Sequence, residues 1–126
     1  MRPVLLLLLV GCGAPSASVT LRTDGLIGVD SVDLYLLDTA SGPKTCAELG
    51  VSPIVLREDI AIEAYARIEA GGTSTQFQNL GDKPRLVVAE AYAASGGARI
   101  GFGCAAAPMI VRDQAASITL RVEALP

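Results

Sequence analysis

The sequence predicts an all-β protein, a single antiparallel β-sandwich of about seven strands held by one disulfide. Three observations predict it. Short runs of alternating apolar and polar residues recur along the chain, with turn residues between them. No long stretch carries a helical period. The two cysteines beyond the N-terminal region, Cys46 and Cys104, stand far apart in a chain without histidine.

The elements follow in order. "SVTLR" places Val19 and Leu21 on one face. "SVDLYLLD" places Val32, Leu34 and Leu36 on one face and Asp33 and Tyr35 on the other. "TASGPK" is a turn cluster, and "TCAELG" reads as a single helical turn carrying Cys46, an excursion between strands. "DIAIEAYARIEA" is ambiguous between strand and helix, because Ala and Glu favour helix. Ile60, Ile62, Ala64, Ala66 and Ile68 nevertheless share one parity, and Glu63, Arg67 and Glu69 the other, which favours a strand. Gly71-Gly72 then reads as a hairpin turn into "TSTQFQNL". "RLVVAEAYA" and "ARIGFGC", joined through Gly96-Gly97, form the clearest hairpin, with Ala98, Ile100, Phe102 and Cys104 on one face. A short strand is expected around Met109 to Val111. "ASITLRVEA" alternates cleanly, with Ile118, Leu120 and Val122 inward and Thr119, Arg121 and Glu123 outward. Strands at this regular spacing, without a long helix, indicate a sandwich of the immunoglobulin-like kind.

The N-terminus carries a different signal. Arg2 precedes an apolar run from Val4 to Val10. A membrane-spanning helix needs roughly 20 apolar residues, so this run is too short to span. An export signal accommodates it. Leu9-Val10-Gly11-Cys12 resembles the lipobox of bacterial lipoproteins. That resemblance implies residues 1–11 as a cleaved signal peptide, Cys12 as the lipidated N-terminal residue, and attachment of the chain to a membrane through its acyl chains. A single acyl chain binds only marginally, whereas two or more anchor stably. Residue 13 is Gly, not the Asp associated with inner-membrane retention, so the resemblance favours the outer membrane, on its periplasmic or surface face. Residues 12–18 then read as the lipidated Cys and a flexible tether of small residues, and 19–126 as the domain.

Composition bounds the rest. A chain of 126 residues with a formal charge of −3 and no basic stripe argues against a nucleic-acid partner. With Cys12 taken by lipid, Cys46 and Cys104 remain in an oxidising compartment, and a disulfide between them is the simplest expectation. The alternative is a metal or redox pair. The wide spacing, the lack of histidine and the lack of a C-x-x-C sequence make that a poor zinc site.

"FQNLGDKPRLVVAEAYAASGGARIGFGC" followed by "SITLRVEAL" resembles the C-terminal half of small transthyretin-like (prealbumin-like) modules. The similarity spans roughly residues 73 to 124 and resembles small myxobacterial-type lipoproteins with a Cys in the same hairpin. The chain departs from the pattern at "NLGDKPR", where a Pro-Gly turn is more usual. The resemblance implies a fold, not an activity.

No histidine is present, which removes Ser-His-Asp and Cys-His nucleophilic sites. Glu63, Glu69 and Glu90 are the carboxylates that glycoside hydrolysis would draw on, and a solvated sheet face is the simpler reading. Asp24, Asp30, Asp33 and Asp38 do not have the spacing of an EF-hand loop, so turn and edge chemistry is expected in place of calcium. "GFG" at 101–103 reads as a close-packing or bulge feature. Tyr35 is the one candidate aromatic for stacking on a sugar, with packing in a second layer the simpler role. The expectation is a membrane-anchored cell-envelope lipoprotein with a non-catalytic binding or scaffolding role, without cofactor or metal, and not an enzyme. Its partner would be an envelope protein or glycan. The alternative is a carbohydrate- or small-ligand-binding sandwich module at the cell surface.

Overall fold

The computed structural model describes residues 16–40, 42–78, 80, 83–93, 97–107 and 115–125. Cys12, its lipobox and the expected strand at Met109 to Val111 lie outside them. The described chain is almost entirely strand, in two sheets. The elements are β1 (Ser16–Arg22), β2 (Val29–Asp38), α1 (Cys46–Leu49), a 3₁₀ turn (Ile54–Leu56), β3 (Ala61–Glu69), β4 (Ser74–Phe77), β5 (Arg85–Ala93), β6 (Arg99–Ala107), β7 (Ala115–Arg121) and β8 (Glu123–Ala124). One sheet has the order β4-β1-β7, the other β3-β2-β5-β6-β8. The β-sandwich and its disulfide are therefore as expected, with eight strands in place of about seven.

The count rises because the last strand changes sheets. β7 runs to Arg121 in the three-stranded sheet, Val122 turns inward, and β8 pairs with Gly101 and Phe102 of β6. The expected alternation holds through this corner, with Ile118, Leu120 and Val122 buried and Thr119, Arg121 and Glu123 exposed. Every described pairing is antiparallel except β1 with β7, which is parallel.

The strand start also moves. Ser16 to Ser18 belong to β1 and not to a tether, because Ala17 is small enough to sink completely into the core between the sheets. The ambiguous segment is a strand, pairing with β2 from Glu69 to Ala61. A bulge between Leu36 and Leu37 leaves Glu63 without an opposite residue and breaks the parity. Ala64, Ala66 and Ile68 therefore face the inter-sheet core, whereas Ile62 is 48% exposed. A second bulge, at Tyr92, separates Ile100 from its expected face. Ile100 packs toward the inter-sheet core, while Phe102 and Cys104 pack on the opposite side. Gly71-Gly72 does not close a hairpin. The chain crosses there from one sheet to the other, and β4 pairs with β1.

The central strands of the five-stranded sheet, β2 and β5, are buried on both faces. The sheet's inner face packs Val32, Leu34, Leu36, Val87, Ala89 and Ala91 against Ala17, Val19, Leu21 and Leu120 of the other sheet. Its outer face carries Tyr35, Leu37, Leu86 and Val88, covered by Leu49 and Ile54 of the connection between β2 and β3. Each fully buried Val, Leu or Ile among them contributes roughly 1.5–3 kcal/mol. This double coverage explains why Leu34 to Leu37 of β2 and Leu86 to Ala89 of β5 are continuous apolar runs.

The close-packing reading of "GFG" is correct. Gly103 lies where β7 crosses over β6, and a Cβ there would overlap the Arg121 carbonyl oxygen. At Gly101 the nearest obstacle is the flexible Leu26 side chain, 2.7 Å from the Cβ position. Gly103→Ala is thus expected to cost more stability than Gly101→Ala, about 1–3 kcal/mol by the usual cost of overpacking. Urea unfolding of the two variants measures the difference. Equal costs would place the tight crossing elsewhere.

Candidate functional site: the strapped outer face

The connection from residue 39 to 60 lies as a strap across the outer face of the five-stranded sheet. Thr45 caps α1, its hydroxyl accepting from the Glu48 N–H at 3.1 Å, and Gly50 ends the helix with φ +71°. The capped turn projects Cys46 onto β6, where it bonds to Cys104 with a Cα–Cα distance of 5.8 Å. Cys104 sits within β6, on its outer face. The disulfide joins strap to sheet across a sequence separation of 58.

A polar row runs beneath and beside the strap. The register places Arg67 of β3, Asp33 of β2, Glu90 of β5 and Phe102 of β6 side by side. Glu90 is completely buried, against the expectation of a solvated face. The expectation failed because a single acid in "VVAEAYA" looks like an outward position unless the covering strap is known. Its carboxylate accepts from the Ile54 N–H at 2.9 Å, from Arg99 at 3.2 Å and from the Tyr92 hydroxyl at 3.1 Å. Arg99 also donates to the Val51 carbonyl, so strap, β5 and β6 share one network. Asp33, also buried, accepts from Arg67 and from the Tyr65 hydroxyl, each at 2.8 Å. Glu63, expected on a solvated face, pairs with the fully buried Arg85 at 2.8 Å. Glu69 is exposed. Asp38 pairs with Lys83 at 3.0 Å, and Asp24 approaches Arg22 only to 3.9 Å. Asp30 is exposed.

Tyr35 packs in the second layer, 5% exposed, its ring 5.2 Å from that of Tyr65. It is not open to a sugar. All three tyrosines of the chain have raised pKa values. Burial first, then the Asp33 and Glu90 charges, pushes Tyr35 upward. Burial and the neighbouring Glu90 push Tyr92 up to about 12. Burial and Asp33 raise Tyr65. A raised acid favours its neutral form in the folded state. The resulting stability is present below the unfolded tyrosine pKa and lost as pH rises through the folded one. Phenolate absorbance is expected to stay low in the native protein near pH 10, where the urea-unfolded chain is half ionised. With no Trp in the chain, the absorbance titration is clean. Native and unfolded curves that coincide would refute this burial.

An open groove of about 510 Å³ borders the disulfide at the sheet-switch corner. Val51, Phe102, Cys104, Leu120, Arg121 and Leu125 are among the residues that line it. Among the described residues, no His, Cys, Asp and Glu group has the arrangement of a metal site. No helix among them is long and apolar enough to cross a membrane.

The sequence also carries a near-repeat that local alternation does not reveal. Residues 17–22, "ASVTLR", and 116–121, "ASITLR", differ at one position. The parallel register of β1 and β7 sets each residue beside its twin, from Ala17 beside Ala116 to Arg22 beside Arg121. Comparison of this chain with protein families, curated proteins and solved structures finds no match.

Proposed function

We propose that the protein is a lipid-anchored cell-envelope lipoprotein whose sandwich domain has a non-catalytic binding or scaffolding role, with the outer membrane favoured. The observation that carries this reading is Leu9-Val10-Gly11-Cys12 behind the apolar run from Val4. Two features support it. The Cys46–Cys104 disulfide suits an oxidising compartment. β1 begins at Ser16, only four positions after Cys12, which suits a domain close to a bilayer. The sheet carboxylates beneath and beside the strap support a non-catalytic role, because Asp33 and Glu90 are each buried and held by an arginine. The transthyretin-like assignment is part of the same reading and rests on the sequence resemblance.

Intact mass of the protein extracted from bacterial membranes tests it. A chain starting at Cys12 with acyl chains attached, gaining two hydrogens on reduction, is the expected result. An unlipidated chain that retains residues 1–11 would overturn the anchor.

A further inference from the structure

We propose that the outer face of the three-stranded sheet binds the sulfate or phosphate groups of an anionic glycan, with Arg22 and Arg121 as the paired anion contacts. The site is built by the twinned strands. Side chains of alternate residues share a face, so Ser18, Thr20 and Arg22 of β1 point away from the core, opposite to the buried Ala17, Val19 and Leu21. The parallel register sets Ser117, Thr119 and Arg121 beside them. Gln76 and Ser74 of β4 extend the two hydroxyl rows, opposite Ser18 and Thr20. The result is a strip of hydroxyl and amide groups closed at one end by two adjacent arginines.

Like charges directly opposite on a sheet are unfavourable. This pair stands out in a chain with an excess of acids, 13 against 10 basic residues. Arg57, Arg67, Lys83, Arg85 and Arg99 each meet a carboxylate at 2.7–3.2 Å. Among the described residues, Arg121 has no ion pair. Arg22 has only Asp24 at 3.9 Å, with both side chains more than half exposed. Asp24 and Glu123 are the carboxylates near this end, and neither closes on Arg121. Two guanidinium forks side by side match the oxygens of a sulfate or phosphate, and the hydroxyl rows match sugar hydroxyls.

Two further observations select a glycan. Among the described residues, the outward positions of β1, β4 and β7 carry no aromatic ring for base stacking, which single-stranded nucleic acid would use. It also spans six residue steps from Ser16 to Arg22, about 20 Å at 3.3 Å per residue. The arginines therefore sit at the end of β1 opposite the N-terminal approach, away from lipid headgroups at an anchored terminus. The proposal gives the binding role a ligand class, and its test needs no lipid anchor.

The test is binding of a fluorescent heparin-derived sulfated hexasaccharide to the purified full chain in detergent at low salt. Arg22→Gln and Arg121→Gln are each expected to weaken binding about tenfold, and the double variant to abolish it. Lys44→Gln/Lys83→Gln removes the same charge elsewhere and is expected to bind as the parent does. If the glutamine double variant fails to fold, Arg22→Lys/Arg121→Lys keeps the charge, loses the forks and is expected to bind several-fold more weakly. The proposal is overturned if the parent does not bind. It is equally overturned if the arginine variants bind unchanged, if the lysine control loses as much, or if single-stranded DNA of equal charge binds as tightly.

Discussion

Replacing both Cys46 and Cys104 by serine is expected to remove about 4 kcal/mol, the chain-entropy value for closing a loop of this length. The loss will be uneven. Between Cys46 and Cys104 lie the strap, β3, β4 and β5, so the open chain gains freedom over most of the domain. In the folded state, however, only the strap loses an attachment. Leu49 and Ile54 then hold to the sheet by packing and by the Glu90 and Arg99 hydrogen bonds alone. The strap should therefore open before the sheets do. Hydrogen exchange of the Leu49 and Ile54 amides, with and without reductant, measures this. Exchange that rises equally in the strap and in β1 would show that the bridge stabilises only globally.

Glu90→Ala is the second large effect, about 3–5 kcal/mol, the range for breaking a buried ion pair by removing one partner. Its loss strands the Arg99 guanidinium, which is 16% exposed, and leaves the buried Ile54 N–H without an acceptor. Glu90→Gln is expected to cost less, since an amide oxygen still accepts from Ile54 while the charge on Arg99 goes unmatched. Glu90→Leu with Arg99→Leu should recover part of the loss, because apolar replacement of both partners often costs little. A double-mutant cycle in denaturant measures the coupling. If Glu90→Ala costs under about 1 kcal/mol, the carboxylate is not the pin that holds the strap.

Legibility followed coverage. The C-terminal strand pattern is legible because Ile118, Leu120 and Val122 are buried and alternate with exposed Thr119, Arg121 and Glu123. β2 and β5 defeated that logic. Their outer faces are covered by a segment whose position no local pattern encodes, so Asp33 and Glu90 looked like solvent positions. Parity arguments also fail at bulges, and one bulged residue sent Ile62 and Ala64 to opposite faces. The double glycine at 71–72 has the chemistry of a hairpin, but sheet membership depends on β1, some fifty residues upstream, and not on the turn. The cysteine pairing was legible because elimination left two thiols and no histidine. The twin arginines were legible in principle, from the near-repeat. That signal becomes spatial only when the two copies pair, 99 residues apart.

That pairing has a consequence for the order of events in the cell. The central strand of the three-stranded sheet is the first to be synthesised, and its longest partner, β7, is almost the last. A ribosome must finish nearly the whole domain before Val19 and Leu21 can find Ile118 and Leu120. β1 consequently waits with only the short β4 as a partner, and contacts this distant make for slow folding. The three-stranded sheet, unlike β2, β3, β5 and β6 of its neighbour, closes only once β7 arrives.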